Sequence, residues 1–130
     1  VTMEWLATLT FWVDGVPVPK ARARTVRVKG KPITFTPRRT ARWEACVRLM
    51  ALSACSAALW KPLAGRYEVD IEVHRKSRRG DADNFAKAIC DAMNGVAYPD
   101  DRSVMRLGVS LVDGDGVGAR VRVRRSKVLA

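Results

Sequence analysis

The sequence predicts an α/β (α+β) two-layer fold, with about four strands in a sheet and two helices over one of its faces. Three stretches carry that reading. Tyr67–His74 (YEVDIEVH) alternates, Tyr67, Val69, Ile71 and Val73 to one side and Glu68, Asp70 and Glu72 to the other, the period of a half-buried strand. Thr40 to Leu59 contains no Pro or Gly, and Trp43, Val47, Met50 and Ala54 recur at helical spacing. Ala119-Arg120-Val121-Arg122-Val123-Arg124 alternates small or apolar residues with Arg, so one face packs and the other presents three cations.

In chain order, Leu6–Val13 (LATLTFWV) is rich in β-branched and aromatic residues and ends at the turn signal Asp14-Gly15, so it reads as a strand. Residues 14–32 carry Pro17, Pro19, Gly30 and Pro32 and read as a long loop or irregular ribbon. Ile33–Thr36 is a short extended piece before Pro37. Thr40 is placed to cap the first helix, with Trp43 and Glu44 in its first turns. Lys61-Pro62 to Gly65 is a break, and a basic loop follows the Tyr67–His74 strand. A second helix is expected over Asp83–Asn94, stopped by Gly95. Val104–Val112 and Ala119–Arg125 read as strands joined by a turn around Asp113-Gly114-Asp115-Gly116.

The chain has 130 residues, 48% hydrophobic and 28% charged, which suits one domain able to bury roughly two thirds of its unfolded surface. Lys and Arg number 24 against 13 Asp and Glu, for a net charge of +11 and a pI near 10.4. Such an excess points to a polyanion, nucleic acid before an anionic membrane. No apolar stretch approaches the ~18 residues of a membrane span, the first residues lack signal-peptide features, and no continuous basic helix face favours a membrane partner. Cys46, Cys55 and Cys90 form no CxxC pair, so neither a disulfide framework nor a zinc site is expected. They read as three buried small hydrophobes in a reducing compartment, and the single His74 as a residue at a strand end.

The charge is uneven. Residues 81–101 hold Asp81, Asp83, Asp91, Asp100 and Asp101 against one cation, Lys87, a net of −4, which leaves +15 on the other 109 residues. On a helix, Asp83, Asn84, Lys87, Asp91 and Asn94 fall within an arc of ~100°, opposite Phe85, Ala86, Ile89, Cys90 and Met93. Two readings follow from the residues alone. Asp83–Lys87–Asp91 is either a set of i,i+4 ion pairs on a solvated face, or part of an acidic nest that binds a divalent cation inside a DNA-binding surface. Clustered Asp oxygens are the hard ligands Mg²⁺ prefers, and a cation so held activates water and stabilises both reacting oxygens of a phosphodiester. An EF-hand loop is excluded by Phe85 and Ala86, and Asp113–Gly116 reads as a plain turn.

The run Gly80-Asp81-Ala82-Asp83-Asn84-Phe85-Ala86-Lys87, continued by Asp91-Ala92-Met93-Asn94-Gly95 and Tyr98-Pro99-Asp100-Asp101, resembles the signature of the RusA family of Holliday junction resolvases. Leu6–Val13, Gly15, Pro17, Pro19-Lys20 and Arg22/Arg24 resemble the family's N-terminal segment, with Ala21 and Ala23 where Gly and Pro are common. The resemblance implies one RusA-like endonuclease domain over residues 1–130, with a mixed sheet of about four strands and two helices. It implies a homodimer that needs Mg²⁺ (or Mn²⁺), binds four-way DNA junctions and nicks two strands symmetrically in recombination and repair. By the same resemblance Asp81, Asp83 and Asp101 match the catalytic, metal-binding carboxylates and Lys87 the catalytic lysine, read here as stabilising charge on the scissile phosphate or leaving oxygen. Asp91 is assigned to orienting Lys87, Asp100 to supporting or alternate ligation, and Asn84 and Asn94 to loop geometry. The implied location is the cytoplasm of a bacterial or phage-infected bacterial cell.

Lys20, Arg22, Arg24, Arg75, Lys76, Arg78 and Arg79 are the cations assigned to DNA, the last four leading directly into Asp81. The competing reading is a non-catalytic basic module that binds structured nucleic acid. The complete Asp81, Asp83, Lys87 and Asp101 set favours the nuclease.

Overall fold

The structure is a computed structural model that describes residues 2–21 and 23–129, with side chains described for 7–21 and 23–126. Its elements are β1 (Thr2–Asp14), β2 (Arg24–Val28), β3 (Lys31–Phe35), α1 (Arg38–Ala58), β4 (Arg66–Arg75), α2 (Ala82–Met93), β5 (Val104–Asp113) and β6 (Gly118–Leu129). Four strands form a mixed sheet in the order β1-β6-β4-β5, and β2 and β3 form a separate two-stranded ribbon. The result is an α+β fold. Among the described residues no helix is long and apolar enough to cross a membrane.

The predicted alternation is realised in β4: Tyr67, Val69, Ile71 and Val73 are buried against Ala119, Val121 and Val123 of β6 and Leu9, Phe11 and Val13 of β1. α1 presses Trp43, Val47, Ala51 and Cys55 onto this layer, and α2 adds Phe85, Ala86, Ala88, Ile89, Ala92 and Met93. Both helices thus cover one face. On the other, the register sets Glu68, Asp70 and Glu72 directly opposite Arg124, Arg122 and Arg120. Arg122 Nη2 lies 2.8 Å from Asp70 Oδ2, and Glu68 holds both Arg124 and Arg106. Much of the cation row expected on β6 is therefore neutralised within the sheet.

Several expectations change. Residues 14–32 are not loop throughout: β2 lies inside them, paired with β3 through a two-residue turn in which Lys29 and Gly30 have φ of 52° and 78°. That is the left-handed pair a tight hairpin demands. α1 begins at Arg38 with Pro37, not Thr40, at its N-cap. Thr40 is inside the first turn and 1% exposed. The buried stripe of α1 steps by four, so Ala51 and Cys55 fill the places given to Met50 and Ala54. Met50 is exposed. Of the cysteines, only Cys55 is fully buried, Cys90 is half-buried and Cys46 is exposed. Finally, β5 and β6 do not form a hairpin. β4 lies between them, parallel to β5 and antiparallel to β6, and the Asp113–Gly116 turn crosses its end, with Gly114 N–H donating to Arg75 C=O at 3.1 Å.

Candidate active site

β4 and β5 are parallel, so the chain must return along the sheet between them, and α2 makes that crossover. The turn into α2 is constrained. Gly80 has φ of +95°, and a Cβ there would sit 2.7 Å from the Phe85 ring, so only glycine fits. Arg75 fixes the same turn from below: its Nη1 donates to Gly80 C=O at 2.7 Å and Arg79 C=O at 3.1 Å, while Nε donates to Asp113 Oδ1 at 2.7 Å.

After α2 the chain doubles back. Gly95 N–H donates to Tyr98 C=O at 2.9 Å, Tyr98 Oη to Cys90 C=O at 2.7 Å, and Trp60 Nε1 to Ala97 C=O at 2.8 Å. With Val96, Ala97 and Tyr98 buried, the segment returns Asp100 and Asp101 to the flank of α2. A short 3-10 turn, Asp101–Ser103, then leads into β5.

The product is a cleft of about 590 Å³ between α2 and β5, lined by Asp83, Lys87, Asp91 and Asp101 on its polar side and by Val104, Leu107 and Val109 on the other. Cys90 and Tyr98 lie beneath. Burial, reinforced by the carboxylates of Asp101 and Asp91, pushes the Cys90 thiol up to about 11 and the Tyr98 phenol higher still. Neither is an anion near neutral pH.

The site residues expected from sequence separate into groups. Asp83, Lys87, Asp91 and Asp101 share the cleft. Asp81 is the exposed N-cap residue of α2, and its backbone carbonyl accepts from Asn84 and Phe85 N–H. It does not line the cleft. Asp100 accepts from Arg102 N–H and pairs with the Arg102 guanidinium at 3.3 Å, which holds its carboxyl below the ordinary range. Asn84 contributes its carbonyl, which accepts from Lys20 N–H at 2.9 Å.

Among the cations assigned to DNA, Lys76, Arg78 and Arg79 are exposed beside the entrance to α2, and Arg24 is exposed at the start of β2. Arg22 lies outside the described residues. Arg75 and Lys20 are engaged within the protein. Lys20 Nζ sits 2.6 Å from Glu44 and 3.2 Å from Asp91, against 3.8 Å from Lys87 to Asp91. Burial disfavours the charge on Lys20, but the hydrogen bonds to Glu44 and Asp91 outweigh it and raise its pKa above 10.5. Glu44 was not anticipated as part of the site. Its signal was present: it is the only carboxylate between Asp14 and Glu68.

Whether these residues suit a divalent cation is a question of donors. Among the described residues no group of three His, Cys, Asp or Glu side chains is gathered closely enough to hold a metal. Asp81 stands outside the cleft, Arg102 occupies Asp100, and Lys20 occupies Asp91. Asp83 and Asp101 remain in the cleft as two hard oxygen donors, which fits Mg²⁺, an ion that commonly takes one or two carboxylates and completes its shell with water and substrate phosphate.

A crossover helix brings carboxylates and a lysine to one cleft inside a strongly basic chain. The family model described as endodeoxyribonuclease RusA matches residues 14–124. The chain belongs to the RusA family of Holliday-junction-resolving endodeoxyribonucleases. No curated protein matches it.

Proposed function

We propose that this chain resolves four-way DNA junctions by Mg²⁺-dependent hydrolysis, as a homodimer that makes two symmetric nicks in recombination and repair. The observation that carries the reading is the convergence of Asp83, Asp101 and Lys87 in one cleft. Asp83 and Asp101 would hold the cation, with Asp81 joining them from the exposed turn when a phosphate is bound. The bound ion would supply positive charge at the scissile phosphate and a more acidic water. Lys87, largely exposed and lightly paired, is free to meet the charge that develops on the phosphate or leaving oxygen. Lys20, itself paired with Glu44, holds Asp91 in place at the edge of the cleft. Val104, Leu107 and Val109 supply an apolar wall against which these charges act more strongly. Two cuts related by symmetry call for two such sites about a two-fold axis.

One observation favours the second reading, a basic module that binds structured nucleic acid without cutting it: the described carboxylates do not form a three-ligand group. A single experiment separates the two. The protein is incubated with a synthetic four-way junction in Mg²⁺ or EDTA. Paired nicks in Mg²⁺ and none in EDTA support the nuclease, and tight binding with no nicks in either supports the module.

A further inference from the structure

Residues 15–43 contain nine of the chain's cations and no carboxylate. The β2–β3 ribbon stands within that stretch, exposed along both strands, and its strands pair with each other and not with the main sheet. The register places Val26 opposite Ile33, Arg24 opposite Phe35 and Val28 opposite Lys31. These six residues share one face, because side chains alternate along each strand. It is an apolar stripe with a cation at either end, and Val26, Val28, Ile33 and Phe35 keep 44, 47, 45 and 42% of their surface. The opposite face is polar, with Thr25 and Thr34 hydroxyls 3.0 Å apart. An isolated two-stranded ribbon is marginal in water, and a contiguous exposed apolar face marks a contact surface.

The segment before the ribbon is tied to α2. Lys20, four residues before β2, is fastened to α2 through its N–H to Asn84 C=O and through its ammonium to Asp91.

We propose that the β2–β3 ribbon is a DNA-engaging arm that supplies preference for a branch point, an inference that rests on the junction-resolving reading. Charge complementarity selects the occupant: an all-cationic segment meets a polyanion. The apolar face distinguishes branched from linear DNA. A continuous duplex keeps its base faces stacked and offers the ribbon only phosphates and groove edges. A branch point interrupts the stack, and apolar side chains enter interrupted steps while neighbouring cations take the phosphates.

The test compares wild type, the double variant Ile33→Ser/Phe35→Ser, Val26→Ser alone, and Arg24→Gln/Lys31→Gln. Each is measured for binding to a junction and to linear duplex of equal length across a salt series, for cutting, for melting temperature and for sedimentation. The apolar double variant is expected to lose about tenfold in junction affinity while duplex affinity stays within about twofold, with Val26→Ser moving the same way less far. Arg24→Gln/Lys31→Gln should weaken both DNAs alike and reduce the salt slope by about 2. Wild-type junction preference in the apolar variants, at unchanged melting temperature, overturns the proposal. So does sedimentation in which those variants dissociate a dimer that wild type forms, since the ribbon then covers a second copy. Wild type that neither prefers nor cuts junctions removes the parent reading, and this one with it.

Discussion

Asp91 is held by Lys20, at 3.2 Å, more closely than by Lys87, at 3.8 Å. The two lysines therefore stand differently at one carboxylate: Lys20 is largely buried outside the cleft lining and is also paired with Glu44, whereas Lys87 lines the cleft and is largely exposed.

Replacing Lys20 by Met removes the counter-charge of half-buried Glu44 and leaves Asp91 only the more distant Lys87, and should cost about 1–3 kcal/mol of stability. Cutting should fall by about tenfold, because Asp91 loses the nearer of its two cations while the backbone bond from residue 20 to Asn84 is kept. Lys20→Arg should restore part of both. The folded-state pKa of Lys20 is raised above 10.5, so its contribution is fully present below that value and lost as pH rises through the folded value. Urea unfolding of wild type and Lys20→Met should differ by a constant amount from pH 7 to 10 and converge above it.

Asp83→Asn and Asp101→Asn should each reduce junction cutting by about 10²-fold or more, and Asp81→Asn equally if its carboxylate joins the cleft with DNA. Binding in EDTA should be unchanged or slightly tighter, since one repulsive charge is gone. Lys87→Ala should cripple cutting with metal affinity nearly intact. Nicking and binding measured on the same preparations decide the matter, and wild-type cutting by Asp83→Asn or Asp101→Asn would remove the proposed metal site.

The link from Arg75 to Asp113 at 2.7 Å makes the turn after β5 a fastener for the loop that leads into Asp81. Arg75→Met should lower the melting temperature and expose the peptide bonds after Arg78 and Arg79 to trypsin. Asp113→Asn should act the same way more weakly, and Asp115→Asn should change nothing. Arg78→Ala should leave stability alone and reduce the salt slope of DNA binding by about 1.

Cys46 is exposed, whereas burial pushes Cys90 up to about 11. At pH 8 on the order of one Cys90 in a thousand is thiolate, so alkylation followed by peptide mass spectrometry should mark Cys46 first and Cys90 only after denaturant is added.

The main sheet was legible because β4 and β6 carry a strict two-residue period, which only a half-buried strand satisfies. The ribbon was legible only as an irregular stretch, and its β2–β3 pairing was hidden, because its turn is Lys29-Gly30 rather than Asn-Gly or Asp-Gly, and because Val26, Val28, Ile33 and Phe35 pack against no core that would pattern the strands around them. The pairing of β5 with β4 instead of β6 was hidden for another reason. A turn announces that the chain reverses, not which strand lies beside it. Of the candidate site, helical spacing put Asp83, Lys87 and Asp91 on one face, and the family resemblance added Asp101 and the roles of Asp83 and Lys87. Glu44 and the inward role of Lys20 depend on the segment before β2 lying against both helices, through an ion pair from Lys20 to Glu44 of α1, 24 positions on, and one to Asp91 of α2, which no local pattern encodes.

β6 is the last strand of the chain, yet it lies inside the sheet, between β1 and β4. During synthesis β1 therefore waits, with no neighbour in the sheet, until β6 has emerged, and its ladder then joins positions as distant as Thr2 and Leu129. Closure of so long a loop favours slow folding. A nascent chain lacking β6 can carry every cleft residue on α2 and the β4–β5 pair, yet β1 has no strand to join, so the layer that backs the cleft is completed only when β6 is inserted.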